Sequence, residues 1–159
     1  MHYVSDTEQK IVLVRETFSE LIGETIHSYE LAQLWYEEEQ EWMNWMDVPI
    51  FLVIGASILS ISWQKLDELG LATGRALPFS LVGSTVRWVS EGIQPLDAIL
   101  GQRVVSVALG MEEASAGDTW TRLLINLDSG KTFEIYNALD ENGFALRDTT
   151  VQSAIKPCV

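Results

Sequence analysis

Leu123-Leu124-Ile125-Asn126-Leu127-Asp128-Ser129-Gly130-Lys131-Thr132-Phe133-Glu134-Ile135-Tyr136 reads as two strands joined by a tight turn. Asp-Ser-Gly supplies the turn, because glycine reaches positive φ without steric cost. In the second strand Phe133 and Ile135 point one way, and Thr132, Glu134 and Tyr136 the other. A matching hairpin stands earlier in the chain. Ile50-Phe51-Leu52-Val53-Ile54 leads through Gly55-Ala56-Ser57 into Ile58-Leu59-Ser60-Ile61-Ser62-Trp63, where Leu59, Ile61 and Trp63 share a face.

The likeness extends outward on both sides. Upstream, Leu21-Ile22-Gly23-Glu24-Thr25-Ile26 parallels Ile99-Leu100-Gly101-Gln102-Arg103-Val104. Before each glycine sit apolar residues spaced three and four apart: Phe18, Leu21 and Ile22, then Leu96, Ile99 and Leu100. That spacing predicts a short helical turn capped by glycine, with Pro95 at the first turn of the second one. Downstream, Leu66-Asp67-Glu68-Leu69-Gly70-Leu71 parallels Leu139-Asp140-Glu141-Asn142-Gly143-Phe144, and both read as turns. Three matched blocks in one order imply a duplicated unit of roughly 75 residues, near 15–71 and 93–146. A lone unit exposes an apolar sheet face, so the two bury each other. The expectation is a single α+β domain, mainly β, packed as a sandwich or half-barrel with short helical segments.

Between the blocks, Thr85 to Ser90 could add a strand, with Ile11-Val12-Leu13-Val14 as its counterpart. Val104 to Trp120 reads as strand, loop and strand, with Val105, Val107 and Leu109 alternating. Leu31 to Met46 is ambiguous. Leu31, Leu34, Trp35, Trp42, Trp45 and Met46 fit a helical stripe broken at Glu38, but strand, insert, strand is preferred.

Composition bounds the function. Hydrophobic residues make up 47% of the 159 residues, enough for a core. Ten basic against 23 acidic residues give a net charge of −13, which disfavours nucleic acid and anionic membranes and favours a basic protein partner. The single cysteine, Cys158, forms no intrachain disulfide, and no signal peptide is read at the N-terminus, so the cytoplasm is expected. The longest apolar stretch, Val48 to Leu59, is too short for a membrane span and reads as a buried hairpin.

Nucleophile, metal and phosphate motifs are missing from the sequence. His2 and His27 are the only histidines. His27 reads as a structural or surface residue and Cys158 as a bystander. No catalytic residue, metal ligand or cofactor is assigned. Trp35 to Asp47 stands apart, with three tryptophans, a tyrosine and four glutamates but no basic residue. Tryptophan anchors interfaces, and carboxylates pair with Lys and Arg. The blander and preferred reading of the same residues is a cap over the sheet, with the glutamates as its solvated face. The candidate partner-binding residues are Glu37, Glu38, Glu39, Glu41, Trp42, Trp45 and Asp47.

The run Leu123 to Asp140 resembles small acidic bacterial proteins, some of which look like immunity proteins found beside secreted toxins. The resemblance implies a non-enzymatic binding protein that neutralises a basic toxin, and it carries no residue roles. Two other readings stand beside it. One is a small-molecule-binding domain or enzyme with its site between the two units, with Glu134 or Asn126 as polar residues to watch. The other is a subunit that dimerises through an exposed strand edge.

Overall fold

The computed structural model describes every residue except 66, 82, 84, 114–118 and 150–154. Leu66, the first residue of one matched block, therefore lies outside the described residues, as does the loop expected after Glu113. The chain folds into two open antiparallel sheets packed together, with two helices among the described residues.

The first half runs β1 (Tyr3–Val4), α1 (Thr7–Phe18), β2 (Ile26–Tyr36), β3 (Glu41–Asn44), β4 (Ile50–Ile54), β5 (Ser57–Gln64), β6 (Glu68–Thr73) and β7 (Val86–Val89). The second runs α2 (Leu96–Ile99), β8 (Val104–Glu113), β9 (Thr119–Leu127), β10 (Lys131–Asn137), β11 (Asn142–Asp148) and β12 (Ile155–Pro157). In the first sheet β6, β5, β4 and β2 lie side by side; in the second, β11, β10, β9 and β8 do the same. An extra strand then pairs each long strand, β7 on β2 and β12 on β8.

The two halves also join by a reciprocal set of backbone hydrogen bonds. Gly23 N–H donates to Val104 O (2.7 Å), and Gly101 N–H donates to Ile26 O (2.8 Å). Ile26 N–H donates to Gln102 O (2.9 Å), and Val104 N–H to Glu24 O (3.0 Å). Between them Thr25 and Arg103 form a bridge with each other. Exchanging residues 23–26 with 101–104 leaves this pattern unchanged, so a local pseudo-twofold axis passes between Thr25 and Arg103. Both glycines need positive φ there, +87° and +81°. A register shift follows at the same place in each half, between Ile26 and Ser28 and between Val104 and Ser106.

That bulge corrects one expectation. Val105 does not share a face with Val107 and Leu109. The extra residue turns it outward, 53% exposed, while Val104 and Val107 are buried. His27, its counterpart, is likewise exposed.

Two further expectations are overturned. Ile11 to Val14 is not a strand but the middle of α1. Asp6 caps the helix by accepting from Gln9 N–H (2.9 Å), and Lys10, Ile11, Val14 and Phe18 form its buried stripe. Leu21 and Ile22 therefore follow the helix rather than form it. Gly70 and Gly143 are not turn residues either. Both lie inside strands, where a ring crosses them: a Cβ on Gly143 would stand 2.5 Å from the Tyr136 ring, and one on Gly70 would stand 2.7 Å from that of Tyr3. The positive-φ turn positions are Asp67, Leu139 and Asp140.

One apolar cluster joins both sheets and both helices, with Trp63, Phe133, Ile135 and Leu123 fully buried at its centre. Val48 to Leu59 is the buried β4–β5 hairpin expected. Gly74, Arg75 and Thr85 each contact the first sheet. Ser60 Oγ donates to Gly74 O, Arg75 pairs with Glu30 over the Phe51 and Trp88 rings, and Thr85 O accepts from Trp35 N–H.

The short α2 is tied down by Tyr29, a fully buried side chain whose hydroxyl donates to Asp97 Oδ1 (2.6 Å) and accepts from Ile93 N–H (3.1 Å). Burial, helped by the Asp97 carboxylate, pushes the Tyr29 hydroxyl up to about 12. The folded state thus holds the neutral phenol more tightly than the unfolded chain does. Its contribution is complete below the unfolded value near 10 and is lost as pH rises from there toward 12. In urea denaturation, the stability advantage of wild type over Tyr29→Phe is expected to shrink between pH 9 and about 11; an unchanged gap would refute the assignment.

Candidate functional site

Residues 31–46 contain no helix. β2 continues to Tyr36, a four-residue turn follows with Gln40 at φ +55°, and β3 returns along it. The preference for strand over helix therefore holds, and the insert is only a tight turn. Gln33 pairs with Asn44 on one side and Arg87 on the other, so β3 and β7 flank β2 as a three-stranded arm.

All seven candidate residues lie on this arm or at its base. Glu37, Glu38, Glu39 and Glu41 are exposed at the tip, as is Asp47 at the base. Trp42 faces Trp35 across the strands with ring centroids 5.4 Å apart, edge to face. Trp45 packs against Phe79 at 5.7 Å and donates its indole N–H to Asp47 (3.2 Å). Trp42 and Trp45 are half-buried, so the tryptophans brace the arm and still present ring surface. Tyr36 and Met43, 43% and 42% exposed, add apolar area on the same hairpin.

One residue of this site escaped the sequence reading. Arg87 on β7 lies 4.4 Å over the Trp42 ring, its Nε donating to Gln33 (2.8 Å). Thr85 to Ser90 is legible as a strand, but nothing local says that it pairs with β2. Among the described residues, Arg87 forms no salt bridge, and neither do Glu37, Glu38, Glu39, Glu41 or Asp47. Elsewhere Glu30, Asp67, Glu112, Asp128, Glu134 and Asp148 all have Lys or Arg partners. Among the described residues, the arm is a concentration of acid without Lys or Arg partners.

Several polar groups elsewhere are internally engaged. Glu134 points away from the core, as alternation requires, yet is only 4% exposed. Arg122 and Arg147 each donate to its Oε2 at 3.3 Å, and Glu112 pairs with Arg122. Asn126 bonds to Ser106 and Thr132. Cys158 is buried, and burial pushes its thiol up, away from the reactive thiolate. Among the described residues, no three His, Cys, Asp or Glu converge as a metal site, and no helix is long and apolar enough to cross a membrane. Between the two units lies a groove of about 390 Å³, lined by Asp47, Gln64, Lys65 and Phe79 from one and Asp140 from the other.

The chain matches no protein-family model, no curated protein and no solved structure.

Proposed function

We propose that this chain is a non-enzymatic acidic binding protein that engages a basic protein partner through the β2–β3 arm. The observation that carries the reading is the arm itself: five exposed carboxylates, none paired with Lys or Arg among the described residues, on a hairpin stiffened by Trp35, Trp42 and Arg87. Carboxylates left free in the folded chain keep their full attraction for an incoming cation, and the half-exposed rings supply area to bury once contact is made. The resemblance of Leu123 to Asp140 narrows the partner to a secreted toxin, with this chain as its cytoplasmic immunity protein. A toxin that attacks nucleic acid would be basic and would meet this acidic surface in place of phosphate.

The test uses the protein encoded immediately upstream as the partner. Glu37, Glu38, Glu39 and Glu41 changed together to Gln should slow association roughly tenfold or more at low salt, with little change in dissociation. Raising the ionic strength should erase the difference. Stopped-flow rates equal to wild type at low salt would show that the arm is not the docking surface.

The inter-unit groove supports a second reading, a small-molecule site shared by the two units, with Asp47 from one and Asp140 from the other in its lining. Native mass spectrometry of the purified chain would reveal a retained ligand.

A further inference from the structure

The pseudo-symmetry marks a place where, among the described residues, the second half lacks what the first half has. In the first sheet, β1 adds to β6, with Tyr3 opposite Gly70 and Val4 opposite Leu69, and the three-turn α1 packs against β6 as well. The counterpart of β6 is β11. Its helix, α2, is a single turn, and among the described residues β11 pairs with β10 alone. Among the described residues, the backbone bond to this edge from outside is at its first residue, Asn142 N–H donating to Met46 O (3.0 Å). Leu71 is buried, whereas its counterpart Phe144, and Leu146 beyond it, are only half-buried.

The free backbone groups can be assigned. At the two ends of the β10–β11 ladder, Ala138 N–H donates to Glu141 O and Thr149 N–H donates to Gly130 O. Bonded and non-bonded pairs alternate between those ends. The N–H and C=O groups of Phe144, Leu146 and Asp148 therefore point away from β10, which agrees with the outward bond of Asn142.

We infer that β11 is a self-complementary edge that pairs antiparallel with β11 of a second copy of this chain. A twofold axis at Ala145 sets Phe144 opposite the second copy's Leu146, so each pair exchanges two backbone hydrogen bonds. On the inner face, the half-exposed Phe144 and Leu146 then cover each other. On the outer face, Arg147, 60% exposed, comes to lie opposite Gly143, which has no side chain to block its path to the Tyr136 ring of the second copy. Along the strand itself charge is locally matched, Lys131 pairing with Asp148 and Arg147 with Glu134, so two copies of this edge can meet despite the net charge of −13. An isologous contact closes on itself, so it yields dimers and not fibres.

Sedimentation velocity over a wide concentration range should show a monomer–dimer equilibrium. Salt should favour the dimer by screening the net charge, opposite to its effect on a basic partner at the arm. Amide exchange at Phe144 and Leu146 should slow as concentration rises. Leu146→Pro removes an outward N–H and no bond to β10, and should weaken dimerisation roughly tenfold or more, whereas Leu146→Ala keeps that N–H and should weaken it less. A monomer at every concentration with fast exchange at both amides would overturn the inference, as would undiminished dimerisation of a folded Leu146→Pro protein.

Discussion

Replacing Lys10 with Met is expected to destabilise the protein by about 3 kcal/mol, near the cost of removing one partner from a buried ion pair. Lys10 is fully buried on α1. Its ammonium donates to Asp67 Oδ2 (2.5 Å) and Thr121 Oγ1 (2.9 Å) and lies 5.3 Å over the Trp63 ring. Asp67, held at φ +61° in the β5–β6 turn, also accepts from the Thr121 N–H and hydroxyl. One charged contact thus pins the first helix, a turn of the first sheet and the start of β9 in the second. Methionine fills most of the volume but leaves the Asp67 carboxylate without its counter-ion. Asp67→Asn is expected to cost a comparable amount, by stranding the ammonium. Combining the two should cost less than their sum, because the second change removes the group that the first left unpaired. Urea midpoints of the four proteins measure this directly. A Lys10→Met protein within about 0.5 kcal/mol of wild type would show that the pair adds nothing beyond its own desolvation.

Lys10 also marks where the sequence stops being legible. Ile11, Val12 and Val14 are β-branched, so the run Ile11 to Val14 reads as a strand, and no local signal says that the lysine before it is buried. Asp6 and the spacing Ile11, Val14, Phe18 do carry the helix, but they compete with that run. The hairpins were legible because period-two alternation is local: Leu59, Ile61 and Trp63 face inward as read, and so do Phe133 and Ile135. The matched blocks pointed to halves whose strand order and bulges now correspond. Gly70 and Gly143 were misread because their reason lies across the sheet, in the rings of Tyr3 and Tyr136. The seven arm residues were legible by composition, whereas Arg87 over Trp42 needed the pairing of β7 with β2.

A comparable loss, again about 3 kcal/mol, is expected for Asn142→Leu. Asn142 is 1% exposed at the start of β11. Its Oδ1 accepts from Trp63 N–H (2.8 Å), and its Nδ2 donates to Val48 O (3.0 Å), so one side chain from the second unit satisfies two buried backbone groups of the first. Those partners fix the amide's orientation, since an N–H needs an acceptor and a carbonyl a donor. Leucine occupies the equivalent place in the first unit, Leu69, and is close in size. The substitution therefore leaves packing nearly intact and strands the Trp63 N–H and Val48 C=O, at about 1–3 kcal/mol each. Asn142→Asp separates hydrogen bonding from packing. At neutral pH its carboxylate would face the Val48 carbonyl with no proton to donate. Protonated, it donates as the amide does, so the folded state raises this carboxyl above its unfolded value near 4. Its stabilising bond is then present at low pH and lost as pH rises. The stability gap between Asn142→Asp and wild type should narrow toward pH 4, while that of Asn142→Leu stays constant. If the two variants ran parallel across that range, the link between the units through Asn142 would be a matter of shape and not of donated hydrogen bonds.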